Sequence, residues 1–135
     1  MTIAALIGVS LLVSGGMWYV RRRHVRSMPS VDDEEFGNVF KRRFNIEPAA
    51  AVAERRHIAR LVGVAPEKLL PDLSFSQLVS SRFEISSQVA LGHLEDDFMD
   101  LAKRAGAVSQ TLPATVSELV RMRLDLKARL SGQSK

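Results

Sequence analysis

The sequence predicts an all-α protein: a small bundle of three main helices plus short helices, behind one N-terminal transmembrane helix. Three observations carry this. Apolar residues make up 46% of the chain but aromatic residues only 6%, an Ala/Leu/Val-rich balance that suits helices better than sheets. The run from Ile3 to Val20 contains no charge. Beyond Pro48, apolar residues recur at the three-and-four spacing of amphipathic helices, in segments separated by Pro and Gly.

The chain is 135 residues long, room for one domain and an accessory segment. With no cysteine, disulfides, thiolate zinc sites, thiol nucleophiles and redox pairs are all excluded. The formal charge of +4 is uneven: up to Phe44 seven Lys/Arg face four Asp/Glu, and from Asn45 onward twelve face eleven. The basicity is therefore local, which argues against nucleic acid as a partner of the whole protein.

The first element is residues 1–26, a transmembrane anchor with a basic flank. About 18 uncharged residues at about 1.5 Å each cover roughly 27 Å, close to a bilayer's hydrocarbon core. Trp18 and Tyr19 stand at the end of the run, where amphipathic rings favour the interface, and Arg21, Arg22, Arg23 and Arg26 follow. This asymmetry predicts a single-pass protein of the cell (inner) membrane with its C-terminal part in the cytoplasm. A cleaved signal peptide is the competing reading, with Ser14, Gly15 and Gly16 as small residues near a cleavage point. It lacks a basic n-region, and its positive charge is on the wrong side. The pairs Ala4/Gly8 and Ser10/Ser14 have the spacing of close helix packing and suggest a homo-oligomer through this helix.

Residues 27–46 read as a juxtamembrane linker containing a short amphipathic helix. Met28-Pro29-Ser30 interrupts the first helix, and Asp32, Asp33, Glu34 and Glu35 precede Phe36, Val39 and Phe40, which share one helical edge. Acidic residues at its start and Lys41, Arg42 and Arg43 at its end suit the helix dipole. Two placements are open for such a helix, phenylalanines in the lipid headgroup region or a helix packed on the domain, and a partly ordered tether is the remaining alternative.

Residues 47–131 read as the helical domain, with 132–135 as a disordered tail. A helix runs from Pro48 to Val62, Pro in its first turn and Gly63 at its stop; Ala51, Ile58, Leu61 and Val62 share one face, with Arg55, Arg56 and Arg60 on others. A loop follows, anchored by Leu69, Leu70 and Leu73, and Ser74 and Gln77 are spaced as a capping box for a short helix. The next long helix starts near Ser86 or Ser87 and ends at Gly106, with Leu91, Leu94, Phe98, Leu101 and Ala105 as its inward stripe. Thr115 and Glu118 repeat the capping-box spacing before a final helix bearing Val116, Leu119, Val120, Leu124, Leu126 and Leu130.

The order Gly63-Val64, Glu67, Leu69, Asp72, Ser74-Phe75, Leu94-Glu95-Asp96-Asp97-Phe98 and Thr115-Val116 resembles the acyl carrier protein family, over roughly Ala53 to Leu130. The resemblance implies a small carrier-like helical bundle. It also implies a phosphopantetheine serine in an Asp-Ser-Leu motif at the start of the second long helix, and there this chain has Phe83-Glu84-Ile85. A glutamate cannot form that phosphodiester. Ser86 and Ser87 are the alternative attachment points; the plainer role for them is capping the helix. In carrier proteins the acidic helix docks basic patches on partner enzymes, which assigns Glu84, Glu95, Asp96, Asp97 and Asp100 here to contact with a protein of basic surface.

His93, Asp97 and Asp100 share a helical edge but lack a second histidine, so no metal site is expected. Nucleophile elbows and phosphate-binding glycine loops are absent from the sequence. The resulting expectation is a non-enzymatic, membrane-anchored domain without a cofactor that binds a partner protein at the cytoplasmic membrane surface. The alternatives are a phosphopantetheinylated carrier using Ser86 or Ser87, and a purely structural single-pass membrane protein.

Overall fold

The computed structural model describes residues 3–78, 85–107 and 110–133, with Met17, Arg21, Ile85, Ser86 and Gln133 described as backbone only. Among the described residues there are five α-helices: α1 Ile3–Ser27, α2 Asp33–Phe44, α3 Pro48–Val62, α4 Ile85–Arg104 and α5 Val116–Gln133. Single 3-10 turns at Pro66–Lys68 and Phe75–Leu78 punctuate the α3–α4 connection. No strand occurs among the described residues, only an antiparallel bridge between Ser74 and Thr115.

Helix α1 is long and apolar enough to cross a membrane, and none of its apolar span is buried against the rest of the chain. Ile3, Leu11 and Leu12 are more than two-thirds exposed, and Trp18 and Tyr19 are exposed as well. An apolar span left bare in this way is what separates the element from a buried core helix.

Local chemistry explains where the other helices begin and end. Asp32 caps α2, its carboxylate accepting from the Glu35 N–H at 2.8 Å. Asn45 ends the helix in the left-handed conformation (φ 53°), and the Asn45 and Ile46 N–H groups reach the Lys41 and Phe40 carbonyls. Gly63, at φ 69°, closes α3 in the same way. The Ser74 N–H donates to Gln77 Oε1 at 2.9 Å, and the Glu118 N–H donates to Thr115 Oγ1 at 3.4 Å, so both capping signals are used.

The core gathers Ala51, Ile58, Ala59 and Val62 of α3, Leu94, Phe98 and Leu101 of α4, and Val116, Leu119, Val120 and Leu126 of α5, closed at one end by Leu69, Leu73 and Phe75. That loop is stitched to the start of α5: the Phe75 N–H donates to the Ala114 carbonyl, and the Val116 and Ser117 N–H groups donate to those of Leu73 and Pro71. Of the two placements open for α2, the packed one is observed. Phe36 and Phe40 are fully buried in this same core, with ring centroids 4.8 Å apart. The helical unit therefore includes the segment that the sequence assigns to a linker. At the other end, α5 continues through Gln133, so residues 132 and 133 extend the helix where a tail is expected.

Gly37 sets how closely α2 and α3 approach. A Cβ at this buried position would stand 2.7 Å from Pro48 Cβ and 3.2 Å from Pro48 Cα, so the helices must separate to admit it. Gly37→Ala is expected to destabilise the domain by about 1–3 kcal/mol despite its better helix propensity. Denaturant unfolding followed by far-UV circular dichroism checks this; unchanged or raised stability contradicts the packing described.

Candidate functional site

The acidic run of α4 divides between two faces. Glu95, Asp96 and Asp100 are exposed, whereas Asp97 is turned towards α3 and α5. Helical geometry explains the split, since each step of one residue turns the side chain by about 100°. Glu95 and Asp96 have no ion-pair partner among the described residues, and Asp100 forms an exposed pair with Arg104 one turn later (3.2 Å). Val89 and Met99, 51% and 39% exposed, lie on the same outer face as Asp96, flanking its charge with apolar surface. The sequence marks the acids of this face; Val89 and Met99 fall outside the apolar stripe and draw no notice there.

Asp97 belongs to an internal network that joins three helices. Arg123 of α5 is 4% exposed; its Nε donates to Glu54 Oε2 at 2.6 Å and its Nη1 to Asp97 Oδ2. Lys127 Nζ donates to the other Glu54 oxygen, and His57 Nε2 lies 3.2 Å from Asp97 Oδ2. Burial pushes the Glu54 carboxyl up, but hydrogen bonds from Lys127 and Arg123 outweigh it and hold the group below its ordinary 4.5. Asp97 behaves alike: burial raises it, and hydrogen bonds and charge from His57 and Arg123 bring it below 3.8. Its carboxylate is committed within the fold, which leaves Glu95 and Asp96, and Asp100 in its exposed pair with Arg104, as the acids facing outward.

The other expected site residues are placed as follows. Glu84 and the Ser86 side chain lie outside the described residues. Ser87 is 2% exposed, and its hydroxyl has no hydrogen-bond partner among the described residues. A hydroxyl enclosed in this way does not fit attachment of a long prosthetic arm. His93 is exposed, and no cluster of three His, Asp or Glu side chains suited to a metal ion occurs among the described residues. Arg22, Arg23 and Arg26 are exposed at the end of α1, with the Arg22 guanidinium 5.0 Å from the Trp18 ring centroid.

Sequence reasoning missed the arginines that are buried. Arg55, read as an outward residue of α3, is fully buried. Its Nη2 donates to the Val31 carbonyl and its Nη1 to the Asp32 carbonyl (3.2 Å) and Asp33 carboxylate (3.3 Å), with the guanidinium 4.4 Å from the Phe36 ring centroid. Burial pulls its pKa down, opposed by Asp33 and Glu67. The available signal was its position: Arg55 falls one turn after Ala51 and three residues before Ile58, inside the apolar stripe of α3.

Arg123→Met is expected to cost about 3–5 kcal/mol at neutral pH, because Glu54 then loses a buried partner. Both carboxylates are lowered in the folded state, so the stability they contribute is complete above about pH 4.5 and lost as pH falls through their folded values. The difference between wild type and Arg123→Met should therefore narrow in acid; unfolding measured from pH 7 to pH 3 checks both points. No family model matches the chain, and neither a curated protein nor a solved structure is significantly similar to it.

Proposed function

We propose that this protein is a non-catalytic, membrane-anchored helical domain that binds a protein of basic surface at the cytoplasmic face of the membrane. The observation that carries the reading is the outer face of α4, where Glu95, Asp96 and Asp100 stand exposed together with Val89 and Met99 while Asp97 alone of the acidic run is used internally. Exposed acids beside apolar side chains suit a docking surface: complementary charge speeds and orients the encounter, and the apolar residues add contact area. The resemblance to acyl carrier proteins points to the same helix as the docking element.

Support for the anchor comes from the bare apolar surface of α1 and the arginines at its end. Confinement to a membrane raises the effective concentration of the domain for partners in the same place. The reading without phosphopantetheine is supported by the enclosure of Ser87 and by glutamate at position 84.

Reversing the charge of the outer face tests the reading without disturbing the internal network. Asp96→Lys combined with Asp100→Lys is expected to abolish co-purification of the membrane partner, while circular dichroism and the unfolding midpoint stay close to wild type. Capture by the wild type should weaken as ionic strength rises. Identical partners for both forms, captured equally at low and high salt, would remove α4 from the binding role.

A further inference from the structure

The junction between α1 and the domain is built as a rigid seam. Lys68 Nζ donates to the Met28 carbonyl at 2.7 Å and to the Arg26 carbonyl at 3.3 Å, occupying acceptors that a helix end leaves open. His24 Nε2 meets the Gln77 carbonyl at 2.8 Å, and the Val31 N–H donates to the Glu67 carbonyl at 2.8 Å. Arg55 holds the next two carbonyls, of Val31 and Asp32. From His24 to Asp32 the chain is thus pinned at successive points to the Pro66–Leu78 loop and to α3, which leaves little free tether between anchor and domain.

This seam has a definite height if α1 spans the bilayer, the reading on which the inference rests. His24 and Arg26 follow the apolar run by four and six residues, so they lie about 6 and 9 Å beyond its end. The headgroup layer on one side of a bilayer is roughly 5–8 Å deep. The loop bound to these residues is therefore at or just beneath the headgroups, and a tilt of α1 brings it closer.

Two features of this end of the domain fit lipid. A cleft of about 540 Å³ opens between His24, Met28 and Pro29 on one side and Leu70, Leu73 and Gln77 on the other, with mostly apolar walls. The exposed Arg22, Arg23 and Arg26 at the end of α1 suit an anionic surface; the acids nearby are Glu67 and Asp72 of the loop, the second held by Arg43 at 2.8 and 3.0 Å, and Asp32, Asp33, Glu34 and Glu35 at the start of α2, of which Asp33 is paired with Arg55 and Arg56. We infer that the Pro66–Leu78 loop and the end of α1 rest together on the headgroup layer of an anionic bilayer. This second contact holds the domain in one orientation.

Because the chain has no cysteine, one introduced thiol reports alone. The full-length protein is placed in vesicles of anionic phospholipid, with a fluorophore on Ser76→Cys in the loop or on Arg129→Cys near the far end of α5, and quenched by headgroup-linked nitroxide lipid. A variant with about six Gly/Ser residues inserted after Ser27, combined with Lys68→Met, releases the seam. The expected result is severalfold stronger quenching at Ser76→Cys than at Arg129→Cys, with the Ser76→Cys signal falling in the released variant. Equal quenching at the two positions, or a Ser76→Cys signal unmoved by release, overturns the inference while co-flotation with vesicles still supports the anchor. Failure to float with vesicles overturns the anchor itself.

Discussion

Helix α3 buries a glutamate and an arginine side by side, and the rest of the domain is arranged so that neither is left unpaired. Glu54 is satisfied from α5 by Arg123 and Lys127, and Arg123 then carries the connection to Asp97 of α4. Arg55 is held from the other direction through Nη1 and Nη2 by the carbonyls and the carboxylate at the start of α2, while its buried Nε has no hydrogen-bond partner among the described residues. An unpaired ion at either position would cost several kcal/mol, a large part of what a domain of this size has in reserve. Apolar packing alone tolerates sliding and repacking of helices. These pairs do not, because their geometry is met at one register, so α2, α4 and α5 are all referred to α3.

The same device links the domain to its N-terminal helix. By holding the carbonyls of Val31 and Asp32, Arg55 immobilises the stretch that leads back to α1, and Lys68 and Gln77 complete the attachment from the loop side. The burial of Phe36 and Phe40 belongs to this construction, since α2 reaches α3 only where Gly37 allows Pro48 to approach. Under the proposed function, an anchor and a binding face joined through such a seam would be related by geometry as well as by chain length. The direction in which the outer face of α4 points from the membrane would then matter, and a change that loosens the seam would act on orientation before affinity.

Much of the element plan was legible in residue order because local rules suffice for it. Proline at the start and glycine after the end delimit Pro48–Val62, and paired capping residues mark the turn at Ser74 and the start of α5. The inward stripe of α4 is a matter of period alone, and Leu94, Phe98 and Leu101 are buried as that period requires. For α2 the pattern Phe36, Val39, Phe40 reported an apolar edge but not its destination, as lipid and a protein core exert the same pull on phenylalanine. Asp97 looked like one more member of a solvated acidic run. Its role depends on Arg123, 26 residues away in sequence, which no local period reveals.

The sequence by itself therefore determined the helices, their caps and ends, the apolar N-terminal span with its basic flank, and the absence of cysteine chemistry. All of these follow from interactions within a few residues of chain or from composition. Only the tertiary structure decided that α2 is part of the core, that Arg55 and Arg123 are interior groups, that Asp97 is spent within the fold while Asp96 is free, and that the Ser87 hydroxyl is enclosed. Each of those is a question of which distant partner a side chain meets. A charged or aromatic residue can be satisfied equally by water, lipid or a facing helix, and the choice among them exists only once the helices have packed.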